Sequence, residues 1–140
     1  MPRRAKGGAT YEQVKGWALA LPGTAEVFVE SWGHPTLRVN NKMFAVGAPD
    51  SPTVSLKAST VDQSELIAAD PDTFSSAPYS GRHGWVLVQL SRVDPAELRE
   101  LIVEAWRLTA PKRLAATYDA SLPQSTSGQA APGVTGRRSK

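Results

Sequence analysis

From Thr10 onward the apolar residues switch between two periods. Tyr11, Val14, Trp17, Ala18 and Leu21 recur every three or four residues, which puts them on one face of a helix. Thr10 precedes them and Gln13 follows three residues later, the spacing at which the two side chains cap each other's backbone N–H groups. Leu21-Pro22-Gly23 ends the helix, because proline disfavours helical backbone at its predecessor and glycine permits a turn. The period then shortens to two. EVFVESWGHPTLRVNNKMFAVGAPDSPTVSLKAS is rich in β-branched and aromatic residues and is broken by Gly-His-Pro, Asn-Asn and Pro-Asp-Ser-Pro, which predicts four strands. Asn40 and Asn41 tolerate positive φ and suit a tight turn between TLRVN and KMFAVGA.

Thr60 with Gln63, or Asp62 with Glu65, offers a capping box for a short second helix carrying Leu66 and Ile67, ended by Asp70-Pro71. A loop containing Tyr79 to Gly84 follows. WVLVQLS is the clearest strand and DPAELRELIVEAWRLTAPKRLA the clearest helix, with Asp94 as N-cap, Pro95 in the first turn and Glu97 completing a box. Its buried stripe is Leu98, Leu101, Ile102, Ala105 and Trp106, and Pro111 breaks or kinks it. The order helix, strands, helix, strand, helix predicts an α+β two-layer sandwich. One antiparallel sheet of about five strands carries helices on one face and leaves the other face open.

Side chains alternate along a strand, so the faces follow from this reading. In WVLVQLS, Val86, Val88 and Leu90 point to the core, while Trp85, Leu87 and Gln89 point away. Val54, Leu56 and Ala58 oppose Lys57, and Leu37 and Val39 oppose Arg38. The helix-free face is therefore expected to gather Arg38, Lys57, Trp85 and Gln89, with the indole lying over the stems of the two cations. Glu26 and Glu30 share a side of the first strand and are weighed as part of the same surface.

Composition narrows the chemistry. The 140-residue chain contains no cysteine, which removes disulfides, thiolate metal sites and cysteine nucleophiles. No apolar run approaches the roughly 18 residues that span a bilayer, so no membrane partner is expected and the location is read as cytoplasmic. The net charge is +3, yet Arg3, Arg4, Lys6, Arg137, Arg138 and Lys140 all lie in the terminal stretches. Between them ten cations meet thirteen carboxylates, so the body is slightly acidic. Residues 1–9 read as a basic arm, 10–119 as the single domain, and 120–140, rich in Ser, Gly, Pro and Gln, as a disordered basic tail.

WGHPTLRVNNKMFAVGA, VSLKAS, PYSGRHGWVLVQL and EAWRLTAPKRL stand in an order and spacing that resembles the MmcQ/YjbR-like family, covering residues 10 to 118 with the segments between them. Asn41 stands where that family commonly has glycine. The resemblance implies an α+β fold similar to bacterial frataxin (CyaY-like), also likened to a phage double-wing domain, and a DNA-binding label. Fold alone does not carry function, so the label transfers no site residues.

The residues themselves suggest no catalytic set. His34 precedes a proline without a ligand-spaced partner, and His83 has no carboxylate in its loop to orient it. There is no G-x-S-x-G elbow and no phosphate-binding loop. A frataxin-like metal ridge would need more carboxylates than Glu12, Glu26 and Glu30 supply, so neither metal nor cofactor is expected. The expected function is a non-enzymatic binding domain for DNA or another polyanion, with Arg38, Lys57, Arg82, His83, Trp85 and Gln89 as the surface and the basic tails assisting. The alternative is a protein- or small-ligand-interaction module on the same face, using Phe28, Trp32 and Trp85. A tryptophan on an open sheet also commonly shields neighbours such as Leu87. A monomer is expected.

Overall fold

The computed structural model describes residues 8–78 and 81–121. The expected basic arm and tail lie outside these residues, apart from the arm's last two positions and the tail's first two. Helix α1 (Tyr11–Leu19) opens with the predicted box: Thr10 Oγ1 accepts from Gln13 N at 3.2 Å and Gln13 Oε1 accepts from Thr10 N at 3.0 Å. Four strands follow, β1 (Thr24–Val29), β2 (His34–Val39), β3 (Lys42–Val46) and β4 (Thr53–Leu56). Asn40 and Asn41 take φ of 52° and 66° and turn β2 into β3. Helix α2 (Thr60–Ala69) is capped by Ser59, whose hydroxyl accepts from Asp62 N at 3.0 Å, not by Thr60 or Asp62.

The sheet has six strands, one more than expected. β5 (Phe74–Ser76) is a three-residue edge piece that pairs with β6 (Val86–Gln89), and the order is β1-β2-β3-β4-β6-β5, antiparallel throughout. A 3₁₀ turn over Gly81–His83 precedes β6. Helix α3 (Pro95–Thr109) starts at Asp94, whose carboxylate accepts from Glu97 N at 3.1 Å. Pro111 ends it outright, and a separate helix α4 (Lys112–Ser121) folds back, with Arg107 of α3 paired to Asp119 at 2.5 Å.

Two rows of paired residues define the sheet faces. Glu26, Leu37, Ala45, Leu56, Val86 and Ser76 stand in register across all six strands on the helix side. The core gathers there, from Val14, Leu37, Val54, Leu56, Val86 and Val88 to Leu98, Ile102 and Trp106, all at 1% exposure or less. Leu101, expected in the buried stripe, is only half-buried. The register of β2 against β3 shifts between Leu37 and Arg38, leaving Phe44 as an extra residue. Consecutive Phe44 and Ala45 at that bulge are both fully buried.

Candidate functional site

The second row, Val27, Thr36, Val46, Ser55, Leu87 and Ser75, crosses the sheet on the face without helices. Val27, Val46 and Leu87 are half-buried and stand apart from the core cluster under the helices. Trp85, one residue before β6, is half-buried and likewise outside that cluster. By alternation no strand residue of this face is Asp or Glu.

Of the expected site residues, four are backbone neighbours along the chain or across β4 and β6. The Gly81–His83 turn carries Arg82 and His83, both exposed, and runs through Gly84 into Trp85. Continuing the pairing of Ser55 with Leu87 places Lys57 opposite Trp85. Gly84 makes this junction possible. Its φ is +100°, and a Cβ there would overlap the Ala58 carbonyl oxygen, so the turn is seated directly on the link from β4 to α2.

Gln63 holds the same junction from the α2 side. Its Nε2 donates to Gly81 O and to Trp85 O, each at 2.7 Å, so both amide hydrogens are used. Sequence reasoning assigned Gln63 to a capping box with Thr60. Its actual partners lie 18 and 22 residues away, and nothing local signals such a bond.

Arg38 and Gln89 stand apart from this cluster. β3 lies between Arg38 and Lys57, which separates their backbones by two strand spacings, about 10 Å. The Arg38 guanidinium is also engaged along its own hairpin: Nε donates to Thr36 Oγ1 at 3.0 Å and Nη1 to Asn41 Oδ1 at 3.4 Å. The expected indole stack over Arg38 and Lys57 is therefore not formed with Arg38. Among the described residues the cation found over a ring is Arg107, 5.4 Å from the Tyr118 centroid. Gln89 pairs with Thr53 at the opposite end of β6. Thr36 is completely buried although it faces away from the helices, with its hydroxyl donating to Val27 O at 2.8 Å.

Two more expectations are corrected by the pairing of β1. Glu26 stands opposite Leu37 and faces α1, accepting from Tyr11 Oη at 2.9 Å and lying 3.3 Å from Lys15 Nζ. Burial, then this bond and the Glu26 charge, push the Tyr11 hydroxyl well above its ordinary pKa. Glu26 thus adds no negative charge to the open face. Phe28, paired with Pro35, is on the helix side too and is 59% exposed. Glu30 lies past the end of β1 in the hairpin turn. Trp32, 50% exposed in that turn, packs its ring 5.7 Å from that of His34.

Among the described residues no three His, Asp or Glu side chains gather as a metal site, and no helix is long and apolar enough to cross a membrane. The uncharacterized proteins Rv2570 of Mycobacterium tuberculosis H37Rv and Mb2600 of Mycobacterium bovis are each 28% identical over 123 residues, covering 79% of this chain and 95% of their own. The crystal structure of Deinococcus radiodurans protein DR2400, a DUF419 domain, superposes with a TM-score of 0.63 at 23% identity, covering 71% of this chain and 77% of that one. The likeness confirms the α+β fold. The YjbR family model matches residues 19–108, from the end of α1 almost to the end of α3, and the chain belongs to the YjbR family.

Proposed function

We propose that this domain is a non-enzymatic binding module that holds a single-stranded stretch of nucleic acid at one end of its helix-free face. The observation that carries the reading is that Lys57, Arg82 and His83 lie next to Trp85 along the chain or across β4 and β6, beside a face whose strands hold no carboxylate. None of the three belongs to an ion pair among the described residues. A base stacked on the indole would place its phosphates within reach of the long Lys57 and Arg82 side chains. Arg38, held by Thr36 and Asn41, would flank the site without being rearranged.

Salt-titrated binding of the full chain to single-stranded DNA, duplex DNA and RNA tests this. Losing one stacked base is worth about 1–3 kcal/mol, so Trp85→Ala should weaken single-strand binding about 5- to 150-fold. Lys57→Ala and Arg82→Ala should each lower the salt slope by about 0.7. Equal affinity of wild type and Trp85→Ala would reject the stacking site and leave attraction by the terminal cations alone.

The row Val27, Val46 and Leu87, with exposed Trp32 nearby, favours a second reading in which the open face receives a protein. Under it, no affinity for nucleic acid would trace to Trp85, Lys57 or Arg82.

A further inference from the structure

On the other side of the sheet, helices α2 and α3 do not close over the strands. Between them runs a groove of about 320 Å³, floored by Leu56 and Val86 and walled by Leu66 and Leu101. That volume is at the small end of the range of ligand sites. Asp62, Glu65, Leu66 and Ala69 line it from one face of α2, and Leu101, Glu104 and Leu108 from one face of α3.

The two walls run in opposite directions. α2 leaves the Leu56 end of β4, beside the start of β6, and leads to Phe74, which pairs with Val88 near the end of β6, where α3 begins. The first turns of α2 therefore face the later turns of α3. This places Asp62, Glu65 and Glu104 toward one end of the groove, and Ala69 and Leu101 toward the other.

The polar end is short of positive charge. Lys57 is the cation among the lining residues, against three carboxylates. Arg107, one turn beyond Glu104, feels the Glu104 charge but is paired with Asp119 of α4. Among the described residues none of the three carboxylates belongs to an ion pair. A cation seated at that end would meet negative charge from both walls.

We infer that the α2–α3 groove binds a small amphipathic amine, its hydrocarbon part on Leu56, Leu66, Val86 and Leu101 and its ammonium group at the end of the groove that carries Asp62, Glu65 and Glu104. Apart from Lys57, which borders both, the lining residues are distinct from the Trp85 cluster, and the inference does not depend on the nucleic-acid reading. Apolar area would set the affinity, and the carboxylates would set the sign of charge accepted.

The full chain should be titrated with octylamine, octanol and octanoate at pH 7 while amide resonances are followed by NMR. Octylamine should bind at least about tenfold more tightly than octanol, octanoate should bind weakest, and the shifts should map to α2, α3 and Leu56. A Glu65→Gln/Glu104→Gln variant, altered only at exposed positions, should lose most of the preference for the amine while still binding octanol. Equal affinity for the three probes, tighter octanoate binding, shifts centred on the open sheet face, or no binding of any probe would each overturn the inference.

Discussion

Replacing three glycines by alanine separates backbone strain from steric exclusion within this fold. Gly84→Ala is the severe case. Holding a side chain at φ +100° costs about 1–3 kcal/mol. The new Cβ would also overlap the Ala58 carbonyl oxygen and sit 3.0 Å from the carbonyl carbons of Ala58 and Ser59, inside the ~3.5–4.0 Å of ordinary carbon contact. All three atoms are backbone, so no rotamer change relieves the overlap. The turn must lift, loosening the two Gln63 bonds, each worth about 1 kcal/mol. The expected loss is at least about 3 kcal/mol, a large share of the roughly 5–15 kcal/mol that holds a domain folded. At a urea slope of about 1.5 kcal/mol/M this lowers the unfolding midpoint by about 2 M. Gly33, at φ +77°, has no atom within 4 Å of its would-be Cβ, so Gly33→Ala should lose only the conformational part, about 1–2 kcal/mol. Gly16 lies inside α1 with equally open surroundings, and Gly16→Ala should gain about 0.5–1 kcal/mol. Urea melts followed by circular dichroism give the three values. If Gly84→Ala and Gly33→Ala lose the same amount, the turn is not seated on the β4–α2 link and the reasoning fails.

Trp106 is fully buried and its Nε1 donates to Pro22 O at 3.0 Å, so Trp106→Phe should cost about 2–4 kcal/mol in a chemical melt, from the orphaned carbonyl and the void together. Thr36→Val preserves shape but removes the bond to Val27 O, and should lower stability by about 1 kcal/mol without changing the far-ultraviolet spectrum. Glu97 is exposed overall, yet partial desolvation of its carboxyl, then the charges of Asp94, Asp70 and Glu100, raise it above its ordinary range. The folded state therefore holds this proton more tightly than the unfolded one. The resulting stability is present below the unfolded pKa of about 4.3 and is lost as pH rises through the higher folded value. Glu97→Gln should match wild type near pH ~3.5 and melt higher at pH 7; the same difference at both would contradict the assignment.

The elements that were legible in the sequence are those whose signals are local. Thr10 and Gln13 cap α1 within one turn, Asn40-Asn41 supply the backbone their turn requires, and the alternation of Val86, Leu87, Val88 and Gln89 sorts β6 between its faces. What escaped depends on distant partners. KMFAV reads as a plain strand, because the bulge at Phe44 exists only in its pairing with β2. Phe74–Ser76 is too short and polar to show a period and becomes a strand only beside β6. The site divides in the same way: chain proximity and strand pairing join Arg82, His83, Trp85 and Lys57, whereas Arg38 shares their face but is held two strands away from Lys57 by a partner on its own hairpin.

The double grip of Gln63 has a mechanical consequence. One wall of the α2–α3 groove and the support beneath the indole are joined by the Gln63 amide, so a guest that pushes α2 outward would pull on the carbonyls of Gly81 and Trp85. Occupancy beneath the sheet would then be felt above it as a tilt of the aromatic ring, and tryptophan fluorescence would report on a compartment the ring never touches.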